Sequence, residues 1–227
     1  MRLAALYSGG KDSTFAAYLM EQQGHAVDLL VSVMPRDPHS WVFHTPNLAL
    51  VPLMAAAMGK ELVTVGSSGE EKDDLRALAE VLSGLDVEGV VTGAIASDYQ
   101  WDRINHVCDP LGLRVFSPLW RKDQSMLMEE LISAGIRAAL VTVAAEGLGP
   151  SWLGREIDLA SLAELRQLSG RYGMNVAGEG GEYETLTLDS PMHRKALRIV
   201  EAETEIARDG GALKVTKAVL EDKHGRT

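Results

Sequence analysis

The sequence predicts a parallel-sheet α/β/α domain followed by a smaller α+β domain. Short apolar runs alternate with helix-like segments through the first two-thirds of the chain. A glycine-rich turn joins the first apolar run to the first helix. Beyond that stretch the alternation stops and longer strand-like runs take over.

Strands are expected over 3–7, 26–34, 61–65, 89–92 and 114–116, and helices over 11–23, 46–58, 70–83, 97–108 and 123–134. Strands separated by helices of roughly 10–15 residues imply βαβ units and a parallel sheet. Thr45-Pro46 supplies a hydroxyl cap and a first-turn proline for the second helix. Gly24 and Gly59 stand where helices end. A further strand is expected over 138–143, then a loop over 144–150 and a helix over 161–172 ending near Gly173. Runs over 195–207 and 212–220 read as a hairpin around Asp209-Gly210-Gly211. The expected domains are 1–135 and 136–227. Ligands of such sheets bind beyond the carboxyl ends of the strands, where Ser8, Met34 and Thr92 lie.

Composition narrows the function. The 227 residues are 46% hydrophobic, enough for a real core. One cysteine, Cys108, allows neither an internal disulfide nor a four-cysteine metal site. A reducing, cytoplasmic setting is expected. No apolar run reaches the roughly 18 residues of a membrane span, and Met1-Arg2-Leu3 leads straight into a strand, with no room for a signal peptide. The net charge of −10 counts against nucleic acid, whose phosphates meet clustered Lys and Arg. His39, His44 and His106 lack coordination spacing and read as surface or packing residues.

Three segments carry chemistry. Ser8-Gly9-Gly10-Lys11-Asp12-Ser13 opens the first helix. Its glycines let backbone approach an anion, and the helix N-terminus points amides and positive field at it. It is not a Walker A loop, because Ala5 stands where the first glycine belongs and Asp12 replaces Ser/Thr. The second is Gly178-Glu179-Gly180-Gly181-Glu182-Tyr183-Glu184-Thr185. It reads either as a solvated acidic turn or as a cation site, in which Tyr183 or Trp152 could face a quaternary ammonium. The third runs from Gly93 and Ala94 through Ser97, Asp98, Tyr99 and Gln100 to Arg103. It is either a plain N-cap or a loop near a nucleotide.

The first string resembles the PP-loop of ATP pyrophosphatases, enzymes that release pyrophosphate and leave AMP on a substrate. With Gly93 to Gln100, Cys108-Asp-Pro-Leu-Gly-Leu113, Pro118-Leu-Trp-Arg-Lys-Asp-Gln124 and Glu179 to Thr185, the chain resembles the diphthine–ammonia ligase family. Its compact length is similar to archaeal-type members. The implied fold is Rossmann-like, of the adenine nucleotide alpha-hydrolase type. The implied reaction converts the diphthine side chain of elongation factor 2 to diphthamide with ATP and ammonium, through an acyl-adenylate.

Roles follow from that resemblance. Ser8, Gly9, Gly10 and Ser13 would hold phosphates, with Met34, Gly93 and Ala94 near the adenosine. Lys11 would neutralise the leaving group, and Asp12 would hold Mg²⁺ or fix the loop. Asp98, Tyr99, Gln100, Glu179, Glu182, Tyr183 and Glu184 would face the acceptor or ammonium. Cys108 is expected to be buried on its helix. No stable nucleic-acid or membrane partner is implied, and homodimerisation stays open. The rivals are an adenylating tRNA modifier and an ATP-binding sensor without turnover. A glutamine-fed amidotransferase fits less well, since no N-terminal cysteine nucleophile is visible.

Overall fold

The computed structural model describes residues 1–35, 47–67, 70–208 and 210–223. They form two compact units. One holds Met1–Ser8, Asp12–Ala56 and Lys60–Trp120; the other holds Gly9–Lys11, Ala57–Gly59 and Arg121–Thr227.

The first unit is built on β1 (Arg2–Leu6), β2 (Ala26–Pro35), β3 (Glu61–Ser67), β4 (Gly89–Val91) and β5 (Arg114–Phe116). Every pairing is parallel, in the order β3-β2-β1-β4-β5. The helices are α1 (Lys11–Gln22), α2 (Val51–Met58), α3 (Glu71–Ser83) and α4 (Asp98–Cys108). The strands are apolar because helices cover them. Ala4, Val31, Val65 and Val90 share a buried cluster with Leu78 and Leu82 of α3 and Val107 and Cys108 of α4. The chain runs outward from β1 to β3, then returns past β1 to β4. That reversal opens a crevice at the carboxyl ends of β1 and β4.

The alternation expected from sequence is therefore present. The second helix starts later than expected: a 3-10 turn at Leu48–Leu50 leads into Val51. Pro52, in the first turn, marks this start, since a missing N–H costs nothing there. The expected start at Thr45-Pro46, with His39 and His44, lies outside the described residues.

The second unit contains α5 (Gln124–Ser133), β6 (Arg137–Val143), α6 (Leu159–Tyr172), β7 (Tyr183–Asp189), β8 (Lys195–Ala207) and β9 (Gly210–Asp222). The strands pair antiparallel in the order β7-β6-β9-β8. The units divide after Trp120, earlier than the 135/136 boundary read from sequence. The reason is α5. Its Leu127, Met128 and Leu131 are buried, and Arg166 of α6 donates to its Glu129 at 2.6 Å and to the Ser125 carbonyl at 3.3 Å. Spacing alone had made α5 the next helix of an alternating series.

Strand β7 begins at Tyr183, inside the segment 178–185 whose alternative reading was a solvated acidic turn. Threonines suit a pleated strand as valines do, but interleaved carboxylates hide the apolar signal. β8 and β9 form the expected hairpin, although position 209 of its turn lies outside the described residues. β8 is the outermost strand, exposed from Val200 through Ala207 and carrying Glu201, Glu203 and Glu205. Among the described residues no helix is long and apolar enough to cross a membrane.

Candidate functional site

In the first unit, the loop leaving β1 is closed by its own serines. The Ser8 amide donates to Ser13 Oγ at 3.3 Å, and the two hydroxyls lie 3.2 Å apart. Behind them the buried Thr14 hydroxyl donates to the Tyr7 phenol at 3.2 Å. Burial lifts that phenol well above its ordinary range, so it stays neutral. Asp12 is half-buried in the first turn of α1, where the helix field favours an anion.

Gly93 follows β4 and meets this turn closely. A Cβ there would fall 2.7 Å from Ser13 N and 2.8 Å from the Asp12 carbonyl carbon. Only glycine permits that approach. Ala94 is buried, and its amide donates to Thr92 Oγ1 at 3.3 Å. Met34 is half-buried near the end of β2, opposite Gly66. These residues all lie at carboxyl ends of the parallel strands, as expected.

Asp98, Tyr99 and Gln100 are exposed on the first turn of α4. Ser97 is the cap, accepting from the Gln100 amide at 3.3 Å. Tyr99 is 57% exposed, and its hydroxyl donates to Glu71 Oε2 at 2.5 Å. Arg103 donates to Glu71 Oε1 at 2.6 Å, and its guanidinium covers the Tyr99 ring. The Tyr99 hydrogen bond is the largest influence holding Glu71 below the usual carboxylate range, and it raises Tyr99 in turn. This clasp joins α3 to α4. His106 is exposed, and Cys108 is buried, with its thiol pushed up to about 11 by that burial.

In the second unit, Gly9–Lys11 runs beside β7. The Gly9 carbonyl accepts from the Thr187 amide at 2.9 Å, and the Lys11 amide donates to Thr185 Oγ1 at 3.1 Å. Lys11 is 3% exposed. Its ammonium donates to the Ala177 carbonyl at 2.6 Å and lies 5.1 Å from the Tyr183 ring centroid. The Tyr183 hydroxyl donates to the Val176 carbonyl at 2.6 Å. Gln124 completes the loop: its Oε1 accepts from the Ala177 amide at 3.0 Å, and its Nε2 donates to Asn175 Oδ1 at 3.1 Å.

The three expected glutamates separate. Glu182 closes its own loop: Oε1 accepts from the Asn175 amide at 2.7 Å and from Asn175 Nδ2 at 2.8 Å, and Oε2 accepts from the Gly180 amide at 2.7 Å. Burial raises this carboxyl, but the hydrogen bonds together outweigh burial and hold it below the usual range. Glu179 is half-buried in the turn before β7. Glu184 is half-buried on β7, and burial pushes it up to about 6. Gly178 has φ +74°, and a Cβ there would lie 2.9 Å from the Tyr183 carbonyl. The sequence reading gave no role to Gln124, Asn175 or Thr187. Gln124 and Thr185 sat inside recognised strings, but nothing in a string shows which backbone group a side chain will reach.

Among the described residues, no group of three or more His, Cys, Asp or Glu is placed to hold a metal ion. A lone carboxylate such as Asp12 suits a magnesium ion only if phosphates bring most of the remaining ligands.

The chain matches the family model for the diphthamide synthase N-terminal domain over residues 1–115 and that for the C-terminal domain over residues 123–220. It is 40% identical to a diphthine–ammonia ligase of Danio rerio, over 98% of each chain. It is 36% identical to the human diphthine–ammonia ligase, over 91% of this chain and 85% of that one. It is 35% identical to that of Schizosaccharomyces pombe, over 98% of this chain but 40% of the yeast protein. Compact length is thus shared with vertebrate relatives. A solved structure described as a predicted subunit of tRNA methyltransferase from Methanocaldococcus jannaschii matches 84% of this chain and 98% of its own, at TM-score 0.44 and 15% identity. That likeness is too distant to argue from.

Proposed function

The chain belongs to the diphthamide synthase family, and on that premise we propose that it amidates the diphthine side chain of elongation factor 2, using ATP and ammonium. The observation that carries this reading is Gly93 against Ser13 and Asp12, since it closes the β1/β4 crevice down to backbone beside a Ser-Gly-Gly-Lys-Asp-Ser turn. Such a crevice at a helix N-terminus favours a phosphate chain.

The chemistry needs that cradle. A carboxylate resists attack by ammonia until one oxygen becomes a good leaving group. Its oxygen attacks the α-phosphorus of ATP, the bond to pyrophosphate breaks, and an acyl-adenylate forms. Ammonia then adds to the acyl carbon, AMP departs, a proton is lost, and the amide remains. Negative charge grows on pyrophosphate in the first step, where fixed amides and cations act most strongly.

Ser8, Gly9, Gly10 and Ser13 are the candidates to hold the phosphates, with Met34 and Ala94 bordering the adenosine. Lys11 serves by its charge and by pinning the Ala177 carbonyl. Asp12 would hold Mg²⁺ together with phosphate oxygens, and such an ion offsets charge on the leaving group. Glu179 is the candidate to border the cationic acceptor, and Asp98 and Gln100 are candidates on the nucleotide-binding unit. Glu182 and Tyr183 support the acceptor side by shaping residues 175–183. A cytoplasmic setting fits a protein substrate of translation.

The test is mass spectrometry of diphthine-bearing elongation factor 2 after incubation with this protein, ATP and ammonium. The expected result is conversion to the amide that requires both small substrates. No conversion by folded protein, or pyrophosphate release that depends on tRNA, would overturn the reading.

A further inference from the structure

Glu184 is the member of the acidic string with an unmet oxygen. Its register partner on β6 is Thr142, and Thr142 is paired on its other side with Ala212 of β9. Directly paired residues project from the same face of a sheet. Among the described residues, neither Glu184 Oε2 nor Thr142 Oγ1 has a hydrogen-bond partner, and both atoms are buried. The hydroxyl lies near enough to favour the charged carboxylate, against the larger effect of burial, yet each of these two oxygens is left without a partner of its own. Ala212 contributes only a methyl group to this face.

Two buried oxygens side by side call for a small donor. Glu184 also has no ion pair among the described residues, so a cation suits it better than a neutral molecule. A lysine-sized or methylated ammonium brings bulk; the bare ion carries four N–H donors in the volume of a water. This step rests on the amidation reading above, in which ammonia is the nitrogen source. We propose that Glu184 and Thr142 form the ammonium-binding subsite, the carboxylate and the hydroxyl both accepting from the ion beside Ala212.

Thermal unfolding of the full chain, without ATP or protein substrate, tests this at pH 7.5. Ammonium chloride is compared with tetramethylammonium chloride and sodium chloride at equal ionic strength. Ammonium at several times its Kd is expected to raise the Tm of the unsubstituted protein by about 2–4 °C. The near-isosteric Glu184→Gln and Thr142→Val variants are expected to lose that rise. In the amidation assay, both variants should raise the KM for ammonium by at least about tenfold, far more than the KM for ATP. A Tm rise equal for all three salts, or equal in the variants, would mean that water alone fills the place and would overturn the subsite. An ammonium-specific shift in a protein that fails to amidate diphthine would support the subsite and overturn the reaction.

Discussion

Tyr99 and Tyr183 are built from the same parts and do different work. Each has a cation over its ring and an acceptor at its hydroxyl. Tyr99 is 57% exposed on α4, and its partners are the charged Glu71 and Arg103. Tyr183 is 2% exposed, and its partners are Lys11 and the Val176 carbonyl. Water screens the first arrangement and has left the second. Burial, not the choice of partners, decides which tyrosine governs the structure around it. The exposed clasp trims the surface between α3 and α4. The buried one fixes the path of residues 175–183.

The largest test of that contrast is Tyr183→Ala, which should lower stability by about 3–5 kcal/mol in urea unfolding. A loss near that of an exposed site would break the comparison. Gly93→Ala asks whether close backbone contact also governs chemistry. Its added Cβ must push Ser13 or Asp12 aside, so ATP–pyrophosphate exchange should fall on the order of 10²-fold. An unchanged exchange rate would remove the crevice from the mechanism.

Glu184→Gln comes next. Burial raises the Glu184 carboxyl to about 6 in the fold, with the Thr142 hydroxyl acting in the opposite direction. The fold therefore favours its protonated form. That contribution is complete below the ordinary carboxyl value near 4.5 and is lost as pH rises through about 6. Without ammonium, the Tm of Glu184→Gln relative to the parent should be higher at pH 8 than at pH 4. A difference independent of pH would show that Glu184 is solvated. The smallest effect belongs to Tyr99→Phe, whose Tm should barely move, with any loss shrinking further in salt. A larger loss would mean that the clasp is part of the core.

The parallel sheet was legible because its strands are apolar runs and because Ser97 opens α4 while Gly24 and Gly59 follow α1 and α2, although the start of α2 was misplaced. The turn from Ser8 to Ser13 was legible because glycines, a lysine and an acidic residue between a strand and a helix have few other uses. β7 was hidden because its carboxylates and threonines read as loop, although Thr185 and Thr187 meet the Gly9–Lys11 backbone. The three glutamates looked alike in sequence. Their separation depends on which of them finds amides within reach, and that follows from the path of residues 175–182. Gln124 was invisible as an organiser, since its partners lie 51 and 53 positions away.

The outer strand β8 has a consequence for how copies of the chain meet. Its outer edge offers unpaired peptide groups, the usual template for strand-to-strand accretion. Glu201, Glu203 and Glu205 recur at every second position along it. If two copies were laid antiparallel about Glu203, each of these glutamates would oppose another glutamate. Like charges directly opposite repel, so the longest open edge of the antiparallel sheet carries its own deterrent to fibre growth.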